Sequence, residues 1–152
     1  MDGRALTGRP ASTTAGMPTT GTTSTGTALS GVDRLVERAR ATYGRVHAGE
    51  AARLGASGGL LVDIRPAAQR AEYGGIPGAL VIERNVLEWR LDPTSPHRHP
   101  ALSRADQPVV IICQAGYASS LAAASLRELG LTSATDLVGG FEAWAQAGLP
   151  VI

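Results

Sequence analysis

The sequence predicts an α/β domain built on a parallel sheet, with helices on both faces. Two stretches, "LLVDI" (Leu60 to Ile64) and "VVIIC" (Val109 to Cys113), are short and nearly all apolar, without polar alternation. Strands of that kind belong in a sheet buried on both sides. Around and between them lie segments with apolar residues at helical spacing, and strands alternating with helices build parallel sheets.

Taken in order, residues 1–28 are dominated by Thr, Ser, Gly and Pro. They bury too little surface to offset the entropy of ordering them, so a disordered tail is expected there. The domain is expected over residues 29–152. "SGVD" places Ser30 as an N-cap with Asp33 three residues on, the pattern of a capping box. Val32, Leu35, Val36 and Ala39 then recur at helical spacing. A second short helix is expected over Ala48 to Leu54, ended by "GASGG". After the strand at Leu60 to Ile64, Pro66 suits the first position of a helical turn, "RPAAQRAEY". "GGIPGALVI" gives a turn and a strand at Ala79 to Ile82. "ERNVLEWRL" gives a helix, and "DPTSPHRHPALSRADQP" a Pro-rich loop. "VVIIC" is the next strand. Residues 118–129 form a helix with Leu121, Ala122, Leu126 and Leu129 on one side. "ATDLVGG" is a strand and a tight turn, and "FEAWAQAG" a closing helix.

Composition excludes several functions. The 152 residues carry 14 basic and 13 acidic side chains, and every basic one is arginine. A balance this close to neutral is no footprint for nucleic acid or an anionic membrane. No apolar run reaches transmembrane length, and the N-terminus lacks the apolar core of a secretory signal. The single cysteine excludes an intrachain disulfide and multi-thiolate zinc or iron–sulfur sites. A lone thiol fits a reducing compartment, so a cytoplasmic location is expected.

That cysteine ends the second apolar strand, where parallel sheets place their sites. Gln114 to Ala118 then form a tight loop leading into a helix N-terminus. Successive backbone N–H groups and the helix dipole favour an anion there, and a thiolate is an anion. Gly116 permits the backbone angles of a ring-like loop. As a small core residue Cys113 needs no further role; with this loop it is a candidate nucleophile.

"LLVDIRP", "GGIPGA", "VVIICQAGYASS" and "DLVGGFEAWAQAGLPV", in that order, resemble the single-domain rhodanese-like sulfurtransferases. The resemblance runs from about Asp33 to the C-terminus and implies a five-stranded parallel sheet. It also implies that Cys113 carries sulfur as a persulfide from a donor to a thiophilic acceptor. The N–H groups of Gln114, Ala115, Gly116, Tyr117, Ala118 and Ser119 then surround the sulfur. The family loop commonly runs C-x-x-G-x-R; here Ala118 stands in place of the arginine, Gln114 at a position often basic, and Gly75 where a histidine often precedes I-P-G-A. The loop keeps its nucleophile and backbone cradle and loses two charges. Of the two donor classes, thiosulfate and thiol persulfides, a neutral or thiol-bound donor suits it better.

Supporting roles follow. Asp63 is placed to accept loop N–H groups, and Arg65 to pair with an acid such as Glu72 or to stand as a cation in the site wall. Tyr117 shapes the mouth of the pocket, and Ser119 caps the following helix or donates to a bound sulfur species. His97 and His99 in "HRHP" lack a third ligand and belong to a solvated loop, so no metal or organic cofactor is required. A phosphatase loop needs an arginine six residues after its cysteine, where this chain has Ser119. A non-catalytic binding module on the same fold is the alternative.

Overall fold

The computed structural model describes residues 28–152; the expected tail, Ala28 apart, lies outside the described residues. Helix α1 (Gly31–Arg40) starts at the predicted capping box. Ser30 Oγ accepts the Asp33 N–H at 3.2 Å, and the Asp33 carboxylate accepts the Ser30 N–H at 3.1 Å. It packs on α5 (Ala118–Glu128) and buries only Val36 and Ala39. Val32 and Leu35, expected on the same stripe, are 61% and 45% exposed. The stripe is narrower because α1 packs chiefly across one small-residue helix, α5.

The remaining elements are α2 (Ala48–Ala56), β1 (Leu60–Asp63), α3 (Ala67–Tyr73), β2 (Leu80–Val81), α4 (Leu87–Leu91), β3 (Val109–Ile112), β4 (Ala134–Asp136) and α6 (Gly140–Gln146). Pro66 stands just before α3 as its N-cap residue. The helix expected from "ERNVLEWRL" is a 3₁₀ turn, Arg84–Val86, leading into α4. All strands are parallel, in the order β2-β1-β3-β4.

Among the described residues the sheet therefore has four strands rather than five. A fifth position exists beside β4 but holds a single residue, Val46, bridged to Leu137. Its N–H donates to Asp136 O at 3.2 Å, and its carbonyl accepts from Val138 N at 2.9 Å. It goes no further because α2 begins two residues later, and Arg45 turns its side chain into Asp136.

β3 is fully buried and splits the core between the two faces. Val109 and Ile111 pack with Leu87, Leu91, Ala122 and Leu126 from α4 and α5. Val110 and Ile112 pack with Ala48 and Ala51 of α2 and Phe141 and Trp144 of α6. The buried residues of α5 are Ser119, Ser120, Ala122, Ala123 and Leu126; Leu121 is half-buried and Leu129 is 36% exposed, against expectation. Two serines of its first turn, Ser119 and Ser120, thus lie buried under the candidate loop. Among the described residues, no helix is long and apolar enough to cross a membrane.

The turn between β4 and α6 brings backbone against backbone. Gly139 and Gly140 both have positive φ, +74° and +60°. A Cβ on Gly140 would overlap the Cys113 carbonyl and lie 2.8 Å from Gln114 C. Gly140→Ala should therefore cost at least about 2 kcal/mol, combining left-handed strain with steric overlap. Urea denaturation monitored by circular dichroism would read this as a lowered midpoint at unchanged slope.

Candidate functional site

The carboxyl ends of β1, β3 and β4 lie side by side, and each carries a chemically capable side chain. In-register pairing sets Asp63 opposite Ile112 and Asp136 opposite Ile111. Cys113 follows directly, so Asp63, Cys113 and Asp136 share one edge of the sheet.

Cys113 is buried, 8% exposed. It accepts the Gly116 N–H at 3.1 Å and the Ser119 N–H at 3.4 Å, and its thiol donates to Ser119 Oγ at 3.2 Å. Gly116, at φ +87°, gives the loop its bend. The carbonyls point the other way and are held from outside. Phe141 N donates to Cys113 O at 2.8 Å, and Glu142 N to Gln114 O at 3.1 Å. Arg40 and Arg45 both donate to Gly116 O, at 2.7 and 2.9 Å. With the carbonyls fixed outward, N–H groups are left to face inward. Those of Gln114, Ala115 and Tyr117 make no hydrogen bond among the described residues.

Arg65 is pinned rather than free. Its guanidinium meets Asp63 at 2.7 Å and donates to Gly74 O at 2.7 Å and Gln114 Oε1 at 3.0 Å. It also lies 4.0 Å from the Phe141 ring centroid, within cation–π range. Glu72 is not its partner, and the Asp63 carboxylate takes the N–H and guanidinium of Arg65, not loop N–H groups. Two residues apart on an extended chain, Asp63 and Arg65 point to the same side, and burial of both compels them to pair. Arg65 thus ties β1 to the loop through Gln114.

Ser119 does not cap the helix. The N-cap residue of α5 is Tyr117, which makes no side-chain cap. Ser119 Oγ instead donates to Asp136 Oδ2 at 2.7 Å. Asp136 has no solvent exposure and gathers four further hydrogen bonds: Tyr43 Oη at 2.7 Å, Arg45 Nε at 2.8 Å, Ser120 Oγ at 2.9 Å and Arg45 Nη2 at 3.0 Å. Burial pushes its carboxyl up, but the hydrogen bonds from Arg45, Tyr43 and Ser119, with the Arg45 charge, outweigh this and hold it below the usual carboxylate value. Burial, followed by the bond to Asp136, raises Tyr43 so that it stays protonated. Sequence reasoning missed Tyr43, Arg45 and Asp136; the one available signal was a carboxylate closing the strand "ATD".

Beside the sulfur lies a cavity of about 470 Å³. Cys113, Gln114, Ala115, Tyr117 and Ala118 line one side; Ile64 to Pro66, Gln69 and Glu83 to Asn85 line the other. Tyr117 stands 62% exposed at its edge. Arg65 is neutralised by Asp63, and Arg84 is bound to Glu88 through two contacts of 2.6 and 2.9 Å. The exposed Glu83 side chain has no partner among the described residues. Ala118 presents only a methyl group. The remaining polar candidates lie elsewhere: Arg90 donates to His97 O, and His99 Nδ1 accepts the Ala101 N–H.

The family model described as Rhodanese-like domain matches residues 47–147. A protein of Allochromatium vinosum named sulfurtransferase is 37% identical over 93 residues, 61% of this chain and 78% of that one. The human single-domain sulfurtransferase TSTD1 superposes with a TM-score of 0.57 at 31% identity, covering 68% of this chain and 96% of that one. A Rhodopseudomonas palustris protein of unknown function, described as a possible tyrosine phosphatase, superposes with a TM-score of 0.73 at 32% identity, over 90% of this chain and 100% of the other. The chain also matches the adenylyltransferase and sulfurtransferase MOCS3 of Oryza sativa subsp. japonica, but spans only 20% of its length.

Removing the buried charge tests the hub. Asp136→Asn should cost about 3 kcal/mol at neutral pH, because Arg45 loses its buried partner. A carboxyl held below its usual value stabilises fully above about pH 4 and less as the pH falls through the folded value. The gap between wild type and Asp136→Asn should therefore narrow on acidification below about pH 4, measured by denaturant melts across pH.

Proposed function

The chain belongs to the rhodanese-like domain family, and from that premise we propose that it transfers sulfane sulfur through a persulfide on Cys113. The observation that carries the reading is the convergence of loop N–H groups on a sulfur at the edge of an open cavity. Cys113, as thiolate, attacks the outer sulfur of a donor R–S–SH. A bond forms between Sγ and that sulfur, the donor S–S bond breaks, and R–S⁻ leaves with the electron pair. R–S⁻ takes up the proton Cys113 released, so the sum is Cys–SH and R–S–SH giving Cys–S–SH and R–SH. The inward N–H groups of Gln114, Ala115 and Tyr117 suit the added sulfur, stabilising its anionic form. A thiophilic acceptor then takes the sulfur and restores Cys113.

The cavity favours a donor without strong negative charge. Ala118 supplies no cation, both lining arginines are already paired, and Glu83 repels an anion such as thiosulfate. A thiol persulfide, on a small molecule or a protein, fits these walls. The phosphatase reading fails on Ser119, which leaves no guanidinium to clamp a phosphate.

Intact-protein mass spectrometry without reductant tests the scheme. Wild type should gain one sulfur from a small thiol persulfide, and Cys113→Ser none. If wild type gains none from thiosulfate or the persulfide while Cys113 is still alkylated, a binding module is the correct reading. Ala118→Arg should confer loading by thiosulfate, and Glu83→Gln should raise any thiosulfate rate about fivefold at low salt.

A further inference from the structure

Beneath the loop lies a continuous buried chain: Cys113 Sγ to Ser119 Oγ at 3.2 Å, then Ser119 Oγ to Asp136 Oδ2 at 2.7 Å. A serine hydroxyl has one proton to donate, and here Asp136 holds it. Ser119 therefore presents a lone pair to sulfur, which suits a thiol because S–H can donate to it. The arrangement reverses when sulfur becomes anionic. A thiolate has no proton to offer, and a lone pair facing it is repulsive.

We propose that Ser119 is a catalytic residue whose hydroxyl changes partner during the cycle, from Asp136 when Cys113 is a thiol to the sulfur when Cys113 is anionic. Asp136 is the positioning residue that holds it. The exchange is open to Ser119 because Asp136 keeps four other hydrogen bonds, from Tyr43, Ser120 and two nitrogens of Arg45. The carboxylate stays ionised and satisfied, and needs no proton from the thiol. Only one of the two serines under the loop is placed for this. Ser120 Oγ accepts from Arg40 Nε at 2.9 Å and makes no hydrogen bond to Cys113. In the attacking state the thiolate then has three donors: Gly116 N–H, Ser119 N–H and Ser119 O–H. The hydroxyl returns to Asp136 when the acceptor has taken the sulfur and Cys113 regains its proton.

The step this serves rests on the sulfur-transfer reading, but the test does not. Alkylation of the full chain by iodoacetamide at neutral pH reports the reactivity of its single thiol without any sulfur donor. Ser119→Ala should slow alkylation about tenfold, the value of one hydrogen bond to a charged group, and Ser119→Thr should recover most of that loss. In the wild type, the infrared S–H stretch of Cys113 should sit below that of a free thiol, and Ser119→Ala should return it upward. Alkylation of Ser119→Ala within twofold of wild type, or an S–H band that does not move, overturns the proposal. Should Ser119→Ala not fold, the wild-type band alone decides, since an unshifted band removes the S–H to Oγ bond. Slowed alkylation in a protein that takes no sulfur would uphold Ser119 and fail the sulfurtransferase reading instead.

Discussion

A carboxylate with no access to water needs its charge balanced wherever it stands, and Asp136 stands at the end of β4, beneath the loop. Satisfying it draws in Tyr43 and Arg45 from the segment after α1, and Ser119 and Ser120 from the first turn of α5. The same Arg45 reaches on to the Gly116 carbonyl. One buried charge thus decides where the N-terminal segment crosses, which way α5 is rotated, and how the loop peptide at Gly116 faces. Exchanging the whole cluster, Asp136 together with Tyr43, Arg45 and the two serines, for apolar side chains of similar volume would keep the packing but release those constraints.

The opposite side of the loop is set by backbone alone. Phe141 and Glu142 donate to the carbonyls of Cys113 and Gln114 because two glycines let the start of α6 come that close. Charge is spent outside the cavity and hardly at all within it. Arg40 and Arg45 hold the loop from behind, while Arg65 and Arg84 are matched by Asp63 and Glu88. What remains around the sulfur is a set of peptide dipoles, a field that acts only at short range.

Most of the architecture was legible because it rests on local chemistry. Ser30 and Asp33 cap α1, β3 is apolar throughout, and Cys113 leads into a glycine-containing loop, all within a few residues of one another. The losses share a cause. The hub at Asp136 joins positions 43, 45, 119 and 120, and no local pattern links a tyrosine to a carboxylate 93 residues on. Ser119 looked like a helix cap because caps are local, whereas its partner came from another strand. Nearness in sequence makes Glu72 one acid within reach of Arg65, but the extended backbone brings Asp63 to the same side and the guanidinium pairs there. The fifth strand shrank to Val46 because the space beside β4 was claimed by Arg45 and by the start of α2.

That shortened strand has a consequence for the sheet as a whole. Exposed edges of apolar strands recruit strands from other molecules, and this core is rich in Val, Ile and Leu. At one edge β2 is two residues long; at the other, Val46 occupies the Asp136 carbonyl and the Val138 N–H before the chain turns away into α2. Among the described residues, neither margin offers a long run of open backbone groups to template an added strand. The clipped fifth strand is a safeguard against cross-β aggregation, supplied by the same segment that balances the buried carboxylate.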